Sequence, residues 1–149
     1  MRISIIHPTD GQDRPSREET YIAISLIISL RGTCLRGKNG CVITQENRIV
    51  ATGYNGRFKG ECTEKTCDLK TGCVNAVHAE ENAIAFAAKQ GISLTGSTLY
   101  CTSCPCYHCA KLITQAGIYK VVYQQEYRND EGKILLQSMG VITTKLNYE

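Results

Sequence analysis

The sequence predicts a three-layer α/β domain, and three observations carry that prediction. Helical and strand patterns alternate along most of the chain, the order that packs helices on both faces of a sheet. No internal repeat, low-complexity tract or linker divides the 149 residues, so a single domain over 1–149 is expected. An apolar share of 42% against 21% charged residues lies near the average for globular proteins and excludes disordered and fibrous classes.

The elements follow in order. Residues 1–14 are polar after a brief Ile3, Ile5, Ile6 cluster and read as an amino-terminal arm or short strand; His7 within them carries no inference. Ser16 followed by Glu19 has the spacing of a capping box, which opens a helix from about Pro15 to about Leu30. Gly32 and Gly37 punctuate the chain, and Cys41 to Thr44 and Arg48 to Gly53 then read as a hairpin joined by Gln45-Glu46-Asn47. Tyr54 to Val77 shows neither periodicity, and a loop of that length inside a domain is functional or tied down. A helix is predicted from His78 to about Gln90, stopping at Gly91, and a strand over Thr98 to Thr102. Pro105 suits the first turn of a helix that ends at Gly117. A strand over Tyr119 to Tyr123, a short helix near Ile134 to Met139 and a last strand from Val141 to Lys145 complete the chain.

The charge balance of 17 basic and 14 acidic residues leaves a net +3 with no concentrated basic stripe, which argues against a dedicated nucleic-acid binder and leaves anionic small molecules open. The apolar stretch Tyr21 to Leu30 is broken by Ser25 and Ser29 and is far shorter than the ~20 residues a bilayer-spanning helix needs. The start of the chain lacks the basic and apolar runs of a secretory signal, so a cytoplasmic protein is expected, in the host cytoplasm if the chain is viral. In that reducing compartment nine cysteines are more often metal ligands than disulfides, and an odd count leaves at least one thiol spare.

Two short segments carry the chemistry: His78-Ala79-Glu80 at one predicted helix start and Pro105-Cys106-Tyr107-His108-Cys109 at another. A catalytic zinc takes three nitrogen or sulfur ligands and keeps one position open for water, and His78, Cys106 and Cys109 supply that set. A helix N-terminus favours thiolate, the form that binds metal. Glu80 lies roughly 200° around an ideal helix from His78, so it does not share the ligand's face unless the metal sits above the helix mouth. From there it reaches water without occupying a coordination site. Zinc lowers the pKa of bound water from 15.7 to roughly 7, and a neighbouring carboxylate can move its proton, which together perform hydrolytic deamination of an amidine-like carbon. Each half alone is weak, since H-x-E arises by chance and P-C-x-x-C also marks redox or structural zinc sites. Together and in this order they form the zinc deaminase signature.

From about Glu19 to about Leu146 the sequence resembles the deoxycytidylate (dCMP) deaminase family. The likeness runs through Gly32-Thr33-Cys34-Leu35-Arg36, Gly40-Cys41-Val42-Ile43, Gly53-Tyr54-Asn55-Gly56, Cys73-Val74-Asn75-Ala76-Val77 before the histidine, and Cys109-Ala110-Lys111-Leu112-Ile113 running into Ala116-Gly117-Ile118. The Gly-Tyr-Asn-Gly element separates this family from cytidine deaminases and tRNA-editing relatives. The resemblance implies a cytidine-deaminase-like α/β/α fold with a mixed sheet of about five strands, conversion of dCMP to dUMP with release of ammonia, a homohexamer, and control by dCTP and dTTP, with Mg2+ accompanying a nucleotide effector. It implies that Glu80 is catalytic, that Arg36 contacts the 5′ phosphate, that Asn55 and Ala79 contact the nucleotide, and that Tyr123 or Tyr127 closes on it. Tyr54, Asn55 and Gly56 would also serve the effector pocket, although Asn-Gly is equally good turn chemistry. A planar Arg fork suits a phosphate, but an exposed loop arginine is the plain alternative for Arg36.

The resemblance further implies a second, structural zinc on Cys34, Cys62, Cys67 and Cys73, which would pin the aperiodic loop. The chain departs from the pattern here: Glu61-Cys62 stands where relatives have a His-Cys pair, so either a thiolate has replaced imidazole or the site is lost and the thiols are free. Cys101 and Cys104 are departures too; Cys41 reads as a small core side chain and His108 as outward-facing. Two rivals stand beside the main reading. One is deamination of a base in RNA or single-stranded DNA, which needs a basic, aromatic channel. The other is a non-catalytic zinc-binding interaction module, which has no use for Glu80.

Overall fold

The computed structural model describes residues 14–58, 62, 63, 67 and 73–147. The expected arm, apart from Arg14, lies outside the described residues, as does much of the aperiodic loop.

Helix α1 (Arg17–Ser29) opens on the predicted capping box: the Glu19 N–H donates to Ser16 Oγ at 3.1 Å and the Ser16 N–H donates to Glu19 Oε2 at 2.6 Å. Strands β1 (Gly40–Gln45) and β2 (Arg48–Tyr54) form the hairpin. Its turn is one residue shorter than expected, because Gln45 pairs with Arg48 and leaves Glu46 and Asn47 at φ 48° and 60°, the left-handed pair of a two-residue turn. The aperiodic stretch contains a two-strand ladder, β3 (Gly56–Arg57) with β4 (Ala76–Val77), too short to leave a periodic signal.

Helix α2 (Ala79–Lys89) follows, then β5 (Thr98–Ser103), α3 (Tyr107–Gln115), β6 (Lys120–Gln125), α4 (Glu131–Ser138) and β7 (Ile142–Lys145). Helix α3 starts two residues after Pro105, which therefore precedes the cap rather than occupying the first turn. The five long strands form one mixed sheet in the order β2-β1-β5-β6-β7, with β1 antiparallel to both neighbours and β5, β6 and β7 parallel.

Alternation along the strands divides the core between the two faces of the sheet. Val42, Tyr100 and Val122 meet Ile22 of α1 on one face. Cys41, Ile43, Leu99, Cys101 and Val121 point the other way, among Ala79, Ala83, Ala87, Cys109 and Ile113 of α2 and α3. A fully buried side chain such as Ile22 contributes about 1.5–3 kcal/mol. Ser25 and Ser29, which break the apolar run of α1, are buried, and the Ser25 hydroxyl lies 3.1 Å from the Tyr100 carbonyl. Among the described residues no helix is long and apolar enough to cross a membrane.

Two glycines set where the helices begin. A Cβ on Gly53 of β2 would collide with the Ala79 carbonyl and the Ala83 N–H, so only glycine lets the start of α2 lie flat on the hairpin. A Cβ on Gly132 would collide with the Pro105 carbonyl and sit 2.7 Å from the Cys106 carbonyl carbon, so α4 begins in contact with the loop that opens α3.

Candidate metal centre and active site

The centre forms at the carboxyl end of β5, the end at which α/β sheets bind ligands. Both predicted ligand segments sit at helix starts, but their residues are caps rather than helical positions. His78 is the N-cap of α2, with extended backbone at φ −72° and ψ 159°. Its N–H donates to Glu81 Oε2 at 2.7 Å. Because His78 stands outside the helix, the ideal-helix angle that separated it from Glu80 does not apply. Cys106 is the N-cap of α3, and its Sγ accepts the Cys109 N–H at 3.5 Å.

His78 Nδ1 lies 3.5 Å from Cys106 Sγ and 3.4 Å from Cys109 Sγ. All three ligand atoms fall within 4.8 Å of one another. Tetrahedral zinc with Zn–N near 2.0 Å and Zn–S near 2.3 Å requires N···S separations of about 3.5 Å, which both distances from His78 match. Among the described residues it is the one such cluster. The Cys106 thiol is drawn down to about 3 by hydrogen bonding with Cys109 first and with His78 next, so a thiolate is the favoured form of this ligand. His78 is drawn up to about 9, chiefly by the Cys106 sulfur it faces.

Glu80 is 7% exposed, and its Oε2 is 3.5 Å from Cys109 Sγ, so the carboxylate stands beside the ligand triangle. Burial raises its pKa above the ordinary glutamate value, the direction that suits a group which must both take and return a proton.

The triangle opens into a cleft of about 700 Å3. Arg36, Lys111 and Arg128 bring cations to it from three separate segments, and Glu80 is the only carboxylate among the described residues that line it. That imbalance suits an anionic ligand. Lys111 lies 5.4 Å from the Tyr107 ring and Arg128 5.4 Å from the Tyr127 ring, so two cation–aromatic pairs also border the cleft. A larger groove of about 1210 Å3 lies on the α1 face beside Arg14, Tyr21 and Arg48; it holds none of the ligand triad, so the chemistry belongs to the smaller cleft.

The other expected site residues divide. Arg36, Asn55, Ala79 and Tyr127 line the cleft. Tyr123 is buried, with its hydroxyl donating to Glu126 Oε1 at 3.3 Å. Asn55 is buried and spends its amide on the neighbouring loop, accepting the Asn39 N–H and donating to the Gly37 carbonyl, both at 2.8 Å. The Tyr54 carbonyl accepts from Asn82 Nδ2 at 3.0 Å, and Gly56 pairs with Val77. The Cys67 thiol is pushed up by burial and then by the thiols of Cys62, Cys73 and Cys34, but among the described residues these four sulfurs are not drawn to metal-ligand spacing as the His78, Cys106 and Cys109 triangle is. Cys41, Cys101 and Cys104 are buried, and His108 faces outward in a 3.0 Å pair with Glu81. Lys111, Arg128 and Asn39 also line the cleft, and the sequence alone does not mark them: Lys111 stands inside a family segment without a motif role, and Arg128 and Asn39 belong to no motif.

Residues 15–125 match the model of the cytidine and deoxycytidylate deaminase zinc-binding region, and the chain belongs to that family. It is 35% identical over 147 residues to a deoxycytidylate deaminase of Saccharomyces cerevisiae (91% of this chain, 46% of that one) and 37% identical over 128 residues to one of Mycobacterium phage D29 (76% of this chain, 98% of that one). The chain thus spans about half the length of the yeast relative. A crystal structure of a dCMP deaminase from the cyanophage S-TIM5, in complex with dCMP and dUMP, superposes with a TM-score of 0.80 at 37% identity, covering 91% of this chain and all of that one.

Proposed function

We propose that the chain hydrolyses dCMP to dUMP and ammonia. The observation that carries this reading is the His78–Cys106–Cys109 triangle with the buried Glu80 carboxylate 3.5 Å from Cys109 Sγ, at the floor of a cation-lined cleft. The deoxycytidylate deaminase relatives and the cyanophage complex support the choice of substrate.

His78 Nδ1 and the two cysteine sulfurs would hold a zinc ion, which would supply Lewis acidity that makes water nucleophilic near neutral pH. Glu80 takes the proton released as water adds to C4 of the pyrimidine. It returns that proton to N3 and then carries the C4 hydroxyl proton to the amino nitrogen, so that the C4 carbonyl forms as the C–N bond breaks and ammonia leaves. Ala79 is the first residue of α2, and its N–H, without a partner inside the helix, is a donor for the base. Arg36, Lys111 and Arg128 hold the 5′ phosphate and Tyr127 covers the base, which leaves Tyr123 as a support beneath Glu126. The same reading assigns Cys34, Cys62, Cys67 and Cys73 a structural zinc. By family likeness it extends to a hexamer and to control by dCTP and dTTP with Mg2+ around Tyr54, Asn55 and Gly56.

The test is a panel of dCMP, CMP, deoxycytidine and a cytosine-bearing oligonucleotide on the zinc-loaded protein. dCMP is turned over fastest, and Arg36→Ala slows it at least about tenfold more than deoxycytidine, the scale of a lost charged contact. Faster turnover of any other substrate refutes the reading.

A further inference from the structure

Two asparagines line the cleft, and their hydrogen bonds separate their roles. Both ends of the Asn55 amide are committed to the loop over residues 37–39. Asn39 is oriented instead by the ends of the strands. Cys41 pairs with Cys101 across β1 and β5, so the residue before β1 arrives beside the end of β5. There Asn39 Oδ1 accepts from Thr102 Oγ1 at 3.2 Å and from Ser103 Oγ at 2.9 Å. The Thr102 hydroxyl already accepts the Gly40 N–H at 3.2 Å, which directs its own proton toward Asn39. The carboxamide oxygen is therefore held against β5, and Nδ2 is the end left over. It carries two N–H donors and has no protein partner among the described residues.

We propose that Asn39 is a substrate-binding residue whose Nδ2 donates to an uncharged oxygen on the nucleoside half of the substrate, the C2 carbonyl of the pyrimidine or the 3′ oxygen of the sugar. The inference rests on the deaminase reading above. Along the chain Asn39 lies three residues after Arg36, on the phosphate side, and its amide oxygen is fixed to Ser103, three residues before the metal ligand Cys106. It thus stands between the two ends of a bound nucleotide. Glu80 serves the N3 and amino edge, the Ala79 N–H supplies one donor to the base and the cations serve the phosphate, which leaves the 3′ oxygen, or the second lone pair of the C2 carbonyl, in need of a neutral donor. A carboxamide pinned through its oxygen meets that need at little entropic cost, since its rotamer is set before the substrate arrives.

The experiment measures kcat and KM for dCMP and for its 2′,3′-dideoxy analogue on wild type, Asn39→Ala and Asn39→Asp, with zinc content and Tm recorded for each. Asn39→Ala raises KM for dCMP about 3- to 10-fold, the range of one lost neutral hydrogen bond, with kcat nearly unchanged. Asn39→Asp keeps the acceptor for Thr102 and Ser103 but presents oxygen where a donor stood, and raises KM more than about 10-fold at wild-type zinc content and Tm. If the 3′ oxygen is the acceptor, the penalty of Asn39→Ala vanishes with the dideoxy analogue; if the C2 carbonyl is, it persists. Either result supports the proposal. It is overturned if both variants keep KM within about twofold of wild type, or if KM rises only in step with lost zinc or a lowered Tm. Failure of zinc-loaded wild type to deaminate dCMP refutes the underlying reading, and this inference with it, before any variant is compared.

Discussion

Replacing Glu80 with glutamine isolates the proton shuttle from everything else the residue does. The side chain is 7% exposed, so a substitution of equal volume opens no cavity, while it removes the oxygen that stands 3.5 Å from Cys109 Sγ. General acid–base catalysis by one positioned group contributes about 100- to 10,000-fold. At 1.36 kcal/mol for each factor of ten, the barrier rises by about 3–5 kcal/mol. Folding should not suffer, because burial already disfavours the charged form of this carboxyl, and an amide in the same place avoids that cost. The expected outcome is a kcat for ammonia release lowered at least about 100-fold, with KM for dCMP within about threefold, zinc content unchanged and Tm equal to or above that of wild type. A variant that keeps its zinc and retains kcat within about tenfold of wild type refutes the assignment of Glu80, and with it the hydrolytic mechanism.

Two more predictions test the scaffold and the loop. Gly132→Ala places a methyl group against the Pro105 carbonyl and the Cys106 carbonyl carbon, so α4 must withdraw; overpacking of this kind costs about 1–3 kcal/mol, or a Tm drop of about 3–10 °C, and weakens zinc retention, whereas Gly37→Ala, with no atom within 4 Å of its new methyl group, leaves Tm within about 2 °C. Equal melting of the two variants counts against the contact between α4 and the ligand loop. Elemental analysis should find about two zinc ions per chain in wild type and one in Cys67→Ser, with His78, Cys106 and Cys109 retaining theirs; one ion in both proteins removes the four-cysteine site.

The chemistry was legible in the sequence because it is local. His-x-Glu and Pro-Cys-x-x-Cys each place their groups within one turn of a helix start, and capping geometry then orients them without long-range help. The hairpin and the capping box at Ser16 and Glu19 were legible for the same reason, whereas the mixed sheet, whose ladders join residues far apart in the chain, was expected only from the family resemblance. What misled was treating His78 as a helical residue. An N-cap has extended backbone, and that alone removes the angular objection to Glu80 sharing the ligand's side. The stretch from Tyr54 to Val77 hid its two-residue ladder because a strand that short leaves no period to detect.

The specificity side of the cleft was hidden for a different reason. Its residues meet only because the ladders hold particular registers: Gly40 opposite Tyr54 brings Asn39 and Asn55 together, and Cys41 opposite Cys101 brings Asn39 to Ser103. A slip of one residue in either ladder would turn those side chains to the other face of the sheet while leaving every local motif intact. The registers are specified by the burial of Cys41, Ile43, Leu99 and Cys101 on one face and Val42 and Tyr100 on the other. The apolar alternation that reads as mere core thus fixes which polar groups stand at the strand ends. A shift in either register would therefore change the polar lining of the cleft while leaving the His78, Cys106 and Cys109 triangle in place.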